Sequence, residues 1–368
     1  MPAKQPLLNK FLHHAQIQSL KKSQGSGGHP DIAIRRFNRA VITASVQPSF
    51  RKFLETIISR RPLITPDHLI DLFARTAQYI LRNEGVTDYA VWSKKQMTGW
   101  LTHLTSEQKQ KFLDIITVRK YNVATHIPER YRGLGALSQY LHQKINEPVK
   151  IADIGGSGGL GPQSVIFAKT LRENTSNNLP EMTDNTPGQL VINGIRANHI
   201  SFCRAVNLDV QPVDWEWIYA CSYFSKYEES KSKLEKTRTI LANFSDYSLN
   251  ITGDITSPAI LNKLKKLSPF HILHASMTTY QMSPKDYKIT LTHANALLRE
   301  NGIFMELTFE KRANWFKDWN VISTIRIKSR GKLTKPLIWL RWDKSRCNKV
   351  RPGNDFAKVN RLLGITND

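Results

Sequence analysis

The run Val149-Lys150-Ile151-Ala152-Asp153-Ile154-Gly155-Gly156-Ser157-Gly158-Gly159-Leu160-Gly161 constrains this chain more than any other stretch. It reads as a short buried strand ending in an acid, then a glycine-rich turn that opens a helix over 162–171. Gly155, Gly156, Gly158 and Gly159 let the backbone bend sharply and approach a ligand with no side chain in the way. The first N–H groups of the helix then face a negatively charged or hydrogen-bonding ligand group.

Taken alone, the run has several readings. It is an ordinary βα turn, or a loose fit to the dinucleotide turn G-x-G-x-x-G. Gly155-Gly156-Ser157-Gly158-Gly159 also satisfies the G-x-S-x-G nucleophile elbow of serine hydrolases. Asp153 to Gly159 is similar, as well, to the D-x-G-x-[GS]-x-G turn of class I S-adenosylmethionine methyltransferases. The remainder of the chain decides among them.

The 368 residues have room for two domains and an ample core. Cys203, Cys221 and Cys347 are scattered and form no C-x-x-C pair, which argues against a disulfide framework or a zinc site. His13 and His14 lack a partner cluster and read as surface histidines. No apolar run approaches the roughly 20 residues of a membrane span, and no apolar stretch follows Lys4 and Lys10 as in a signal peptide. A cytoplasmic protein is the expectation. The net charge of +23 implies attraction to polyanions, or a basic bias of the whole proteome.

Residues 1–145 read as an all-helical N-terminal domain, with apolar positions such as Phe50, Phe53, Leu54, Ile57 and Ile58 at helical spacing. Thr65-Pro66 is a helix start and Gly85 lies beyond that helix's end. Ser23 to Pro30 reads as a glycine-rich turn. The basic, aromatic segment from Thr117 through Asn122 to Arg130-Tyr131-Arg132 reads as a packed loop, with a substrate or cofactor lid as the alternative.

From 146 to 368 strands alternate with helices, which predicts a mostly parallel sheet. A polar stretch from Arg172 to Gly188 reads as a surface insertion. Predicted strands end at Asp209 and Asp254, and a long helix from Trp215 to about Asn243 lies between them. Phe270 to Ser276 is a fourth strand. A helix from Ser283-Pro284 through Leu298 is stopped by Asn301-Gly302, before a fifth strand over 303–309. Residues 321–328 and 336–342 form an antiparallel pair around the turn Ser329-Arg330-Gly331-Lys332.

Three successive strands thus end in acids, Asp153, Asp209 and Asp254, and ligands of a doubly wound sheet bind at the carboxyl ends of its strands. A carboxylate can accept from both ribose hydroxyls of a nucleoside, which suits Asp209. The adenine amino group needs another acceptor, which suits Asp254. The terminal strand pair is similar to the one that class I methyltransferases add after strand five. The fold expected is α/β: a Rossmann-like class I methyltransferase sheet with a C-terminal antiparallel hairpin, behind the helical domain. The elbow reading is weaker, because its histidine should come late and the last histidine, His293, precedes strand five.

The sequence also resembles a family of bacterial proteins catalogued as domain of unknown function 2332. Their acidic strand and G-A-S-A-G-L turn match Asp153 and Gly155 to Leu160. Their T-R-x-x-Q-T-N-E segment resembles Val118-Arg119-Lys120-Tyr121-Asn122, much altered. Their R-x-G-x-D-L-x-P-V-D pattern resembles Arg204 to Asp214, their W-L-x-A resembles Trp217-Ile218-Tyr219-Ala220, and their H-S-x-x-x-x-Y resembles His274 to Tyr280 with one residue inserted. The resemblance spans about residues 15 to 310. It implies the fold and carries no established reaction.

Methyl transfer from S-adenosylmethionine is the expected chemistry. Gly155 to Gly159, Ser157 included, would contact the methionine end, and Asp153 would organise the turn. His274, Ser276 and Tyr280, after strand four, would face the reacting centre, with His274 as a base; the plainer reading makes His274 a satisfied strand histidine and Tyr280 core. The acceptor is not named by the sequence, and no N/D-P-P-Y-type motif follows strand four. From Lys311 to Asp368 the net charge is +11, interleaved with Trp315, Trp319, Trp339 and Trp342. That pattern suits RNA, although Trp339 and Trp342 read as core. A non-catalytic nucleotide- or nucleic-acid-binding protein on the same fold is the alternative.

Overall fold

The computed structural model describes residues 4–20, 31–61, 64–119, 121–123, 128–156, 161, 203–221, 224, 227–242, 248–310, 319–343, 347 and 350–365. The turn expected at 23–30, Ser157, Gly158 and Gly159, the helix over 162–171, the insertion over 172–188 and Trp315 lie outside them. The chain divides into two compact units: residues 1–125 with 214–235, and residues 126–213 with 236–368.

The first unit is helical: α1 (Lys4–Leu20), α2 (Ile32–Ala44), α3 (Pro48–Arg60), α4 (Pro66–Asn83), α5 (Lys94–Thr102) and α6 (Ser106–Leu113), with a π turn over Asp114–Val118. Thr65 caps α4 through His68 N, with Pro66 in the first turn as expected. The apolar stripes converge on Phe73. Its ring stacks on Phe112 at 4.7 Å between centroids and meets Phe11, Phe37, Phe50 and Phe53 at 6.2–6.5 Å.

Within the segment expected to pack, Tyr121 and Asn122 are bonded into the helical unit, whereas Val118 and Arg119 are exposed. The Arg61 guanidinium donates to Ile116 O at 2.7 Å and Asn122 Oδ1 at 3.0 Å, and Tyr121 donates to Asp214 Oδ2 at 3.1 Å. One long helix was expected from Trp215. Instead α8 (Trp215–Ala220) stops at Cys221 and α9 (Tyr227–Ala242) begins anew. Trp217, Cys221 and Phe224 all enter the Phe73 core.

The second unit holds α7 (Arg132–Ile145), β1 (Val149–Ile154), β2 (Cys203–Asp209), β3 (Ser248–Thr252), α10 (Pro258–Lys265), β4 (Phe270–Ser276), α11 (Pro284–Leu297), β5 (Leu298–Phe309), β6 (Val321–Ser329), β7 (Lys332–Leu333), β8 (Leu337–Trp342), β9 (Val350–Pro352) and α12 (Phe356–Leu363). The strand order is β3-β2-β1-β4-β5-β6-β8-β9, with β7 beside β6. The strands from β3 to β5 in that order pair in parallel and the rest antiparallel. The sheet reverses direction of winding between β1 and β4, which makes that crevice its switch point. One face is filled by Ala152, Ile154, Val206, Leu208, Leu273 and Ala275 under Ile260, Leu264, Ala294 and Leu297 of α10 and α11.

Two expectations are corrected here. The helix before β5 ends at Leu297, within a residue of the expected Leu298, but β5 begins at once at Leu298 and not at Ile303. Residues between Leu298 and Ile303 bulge from the β4 pairing, with Asn301 at φ +61°. After the expected antiparallel pair come β9 and α12, which the sequence reading did not include although Phe356, Val359 and Leu363 recur at helical spacing before Gly364. They cover Trp339, whose indole donates to Asn360 Oδ1 at 3.1 Å. Trp342 donates to Ser323 Oγ at 2.8 Å, so both tryptophans are core, as their plainer reading held.

Candidate functional site

Strand alternation and register put four polar side chains in a line across the parallel half of the sheet. Asn250 of β3 pairs with Asn207 of β2, Asn207 with Asp153 of β1, and Asp153 with His274 of β4. Asn207, Asp153 and His274 are buried. The line crosses β1 and β4 just before their carboxyl ends loosen into turns, so it lies directly beneath the switch point.

Its centre is the pair Asp153 and His274. Nδ1 of His274 lies 2.6 Å from Asp153 Oδ1. The carboxyl's other oxygen accepts from the Tyr131 phenol at 3.4 Å, and the Tyr131 ring lies on the imidazole with centroids 5.2 Å apart. Tyr131 comes from the 3-10 turn Pro128–Tyr131 that leads into α7. Burial, and then the neighbouring Asp153, push its phenol well above the usual tyrosine range, so it stays a neutral donor. Because Asp153 occupies Nδ1, the imidazole presents Nε2 as its free nitrogen. Two buried polar atoms in the line have no partner among the described residues: His274 Nε2 and Asn207 Oδ1. Buried polar atoms are nearly always matched, so these two atoms are the part of the line open to a further partner.

The turn itself closes tightly over this line. Gly155 adopts φ +78°, and a Cβ there would lie 2.2 Å from Thr278 Oγ1. That hydroxyl in turn donates to Ile154 O at 3.1 Å. A Cβ on Gly156 would press on Asp153 Oδ2 at 3.1 Å and on the Asn207 side chain. Gly155 is therefore required by its left-handed backbone and by Thr278, whereas a side chain at Gly156 would crowd Asp153 and Asn207.

The other singled-out residues spread along the carboxyl edge. Asp209 ends β2, half-buried, with Oδ1 accepting from Gln211 N at 3.4 Å. Asp254 lies exposed beyond β3, its Oδ1 capping Thr256 through N and Oγ1, both at 2.8 Å. Ser276, half-buried, lies beside the Tyr131 phenol. Tyr280 sits in the turn after β4, edge-on to Phe309 with centroids 5.3 Å apart. The structure thus brings together Asp153, Gly155, Gly156, His274 and Ser276, and places Asp209 and Asp254 on neighbouring strand ends. Tyr131 and Asn207 are site residues that the sequence alone did not single out. A polar residue shortly before each strand-end acid, as in Asn207-Leu208-Asp209 and Asn250 before Asp254, was the available signal.

No protein-family model and no curated protein matches the sequence, so the resemblance to family 2332 has no such match behind it. Among solved structures the chain is similar to PKMT2 from Rickettsia typhi in complex with AdoHcy, at 14% identity and TM-score 0.28, over 53% of this chain and 27% of that one. It is similar to a Burkholderia thailandensis 1,6-didemethyltoxoflavin-N1-methyltransferase with bound S-adenosylhomocysteine, at 13% identity and TM-score 0.26, over 61% and 64%. It is also similar to an S-adenosylmethionine-dependent methyltransferase from Clostridium acetobutylicum, at 9% identity and TM-score 0.27, over 71% and 87%. The match spans about a quarter of the Rickettsia protein's length. These scores fall short of a shared overall fold, and the functional reading rests on this chain's own residues.

Proposed function

We propose that the second unit binds S-adenosylmethionine at the carboxyl edge of β1 to β4 and transfers its methyl group to a nucleophile. The observation that carries this reading is the buried line Asn207–Asp153–His274 beneath Gly155-Gly156, with two polar atoms at the switch point that are unmatched among the described residues. Bound there, the cofactor supplies a methyl group on a sulfonium that is already a good leaving group. The chain's part is to bind, orient and take up a proton. Gly155 and Gly156 leave room for backbone approach; Ser157, Gly158 and Gly159 continue that turn in sequence. Asp209 is assigned to the ribose hydroxyls and Asp254 to the adenine amino group.

Asp153 holds the imidazole in one tautomer through Nδ1, so Nε2 is the atom that removes a proton from an acceptor hydroxyl or amine. Tyr131 keeps Asp153 from turning away. Ser276 is assigned to orienting the acceptor, and Tyr280 to the outer wall near Phe309.

Calorimetric titration with S-adenosylmethionine and S-adenosylhomocysteine, with NAD as control, tests the reading. Binding near micromolar that falls at least about tenfold in Asp209→Ala is expected. Undiminished binding in that variant removes the ribose role, and no binding of either ligand removes the cofactor and favours a non-catalytic nucleotide-binding role.

A second reading has a specific observation behind it. An imidazole oriented by a buried carboxylate is also the base of a serine hydrolase triad, and Ser157 follows Asp153 in the G-x-S-x-G turn. His274, rather than the late histidine the elbow reading lacked, would serve it; His293 is tied instead to Ile255 O at 2.7 Å. A fluorophosphonate probe that labels the wild-type chain, and neither Ser157→Ala nor His274→Ala, would replace methyl transfer with acyl hydrolysis.

A further inference from the structure

At the amino edge of the same sheet, opposite the candidate cofactor site, lies an open pocket of about 380 Å³ lined by Glu147, Pro148, Lys150, Arg204, Pro269, His271 and Arg299. It is of ligand-binding size. Its basic residues come one from each of four adjacent strands: Arg204 from β2, Lys150 from β1, His271 from β4 and Arg299 from β5. Neighbouring strands lie about 4.8 Å apart, so the row spans roughly 14 Å.

Three observations show that this row lacks a counter-charge. Lys150 and Arg204 are register partners, so two exposed cations stand directly opposite each other on parallel strands. Like charges so placed repel. The one acid of the pocket, Glu147, is already engaged: Oε1 lies 3.2 Å from both His271 Nε2 and Arg299 Nη1. His271 adds no counter-charge, since an imidazole is neutral or positive, and its Nδ1 accepts from Lys150 N at 3.0 Å. Three full cations therefore face one carboxylate, and neither Lys150 nor Arg204 has an acid within salt-bridge distance among the described residues.

We infer that this pocket is a phosphate-binding site, in which Arg204, Lys150 and Arg299 hold successive phosphate groups of a polyanion. Arg204 offers the planar fork that matches a phosphate, and Lys150 a point charge beside it. The length of the row suits two or three linked phosphates rather than one. A free oligophosphate and a nucleic-acid backbone present the same chemistry, and the net charge of +23 draws either to the surface.

The test is calorimetry on the full chain at low salt, with sodium tripolyphosphate and a short single-stranded RNA as separate probes. It compares the wild-type protein with Lys150→Gln/Arg204→Gln and with Lys358→Gln, an exposed cation on α12. Saturable binding that weakens at least about tenfold in the double variant, and is kept in Lys358→Gln, is expected. If the loss is seen with tripolyphosphate, the source is a free oligophosphate; if with RNA alone, it is a nucleic-acid backbone. The double variant should melt no lower than the wild type, since it relieves a repulsion. Binding undiminished in the double variant, or absent for both probes, overturns the proposal.

Discussion

At the scale of single residues, Gly155 is the position with least freedom. It combines a left-handed backbone with a Thr278 hydroxyl where a Cβ would stand. Gly155→Ala should cost about 2 kcal/mol in urea denaturation, roughly one from the backbone and the remainder from displacing Thr278. A loss within a few tenths would show that the turn relaxes freely and that the acid line does not depend on it. The glycines and Asp153 were legible in the sequence because their residue types are confined to such turns. The Asp153–His274 pair was not, since 121 residues separate them and only the register of β1 with β4 makes them neighbours. Tyr131 was harder still: in sequence it belongs to a basic, aromatic segment, and its role as a lid on the pair appears only when α7 lies on the sheet.

Among the elements, those with strong local chemistry formed where expected. The turn Arg330-Gly331 has φ +52° and +75°, the two positive values of the tight hairpin turn, and Ser329 pairs with Lys332 across it. The cap of α2, which the sequence reading did not single out, is also local, with Asp31 Oδ1 accepting from Ala33 N and Ile34 N, both at 3.1 Å. Asp31→Ala should destabilise the helical unit by about 1–2 kcal/mol, and Asp31→Asn by far less; equal losses in the two would mean that burial of the carboxylate, not capping, sets its effect. Where expectation failed, at the α8–α9 break and at the start of β5, the fold set boundaries that local propensity did not mark. In the basic C-terminal segment, Arg341 is bonded to both oxygens of Glu310 at 2.7 and 2.8 Å, Lys328 caps Asn295 O and Leu298 O at 2.8 Å, and Arg351 lies over Trp319. These three cations of the charge run that suggested RNA are engaged within the fold.

For the whole molecule, acid is the informative variable. Burial, with help from Arg61, lowers His68 of α4 from 6.5 to about 4. A histidine depressed in the folded state contributes stability that is present above about pH 6.5 and is lost as pH falls towards 4. The loss should reach about 3 kcal/mol at most, from 1.36 kcal/mol per unit. Glu306 works against it: burial raises its carboxyl, with Tyr287 donating at 2.8 Å, so protonating it favours the folded chain. Thermal melts between pH 7 and 4.5 should therefore fall with acid in the wild type and flatten or reverse in His68→Gln. An unchanged slope in that variant would place the acid sensitivity elsewhere.

By itself the sequence determined what short-range physics can encode. A glycine turn after an acidic strand, alternation of strands with helices, caps, and apolar stripes each follow from residue types within a turn or two of one another. They specify a helical region, an α/β region and the carboxyl edge where a ligand belongs. Tertiary structure decided everything that depends on register and coverage. It alone aligned Asn207, Asp153 and His274 in one buried line and set Lys150 against Arg204 at the opposite edge. It alone returned residues 214–235 to the helical unit. Those arrangements join residues far apart in the chain, and the free energy that holds them is burial of surfaces that no local window contains.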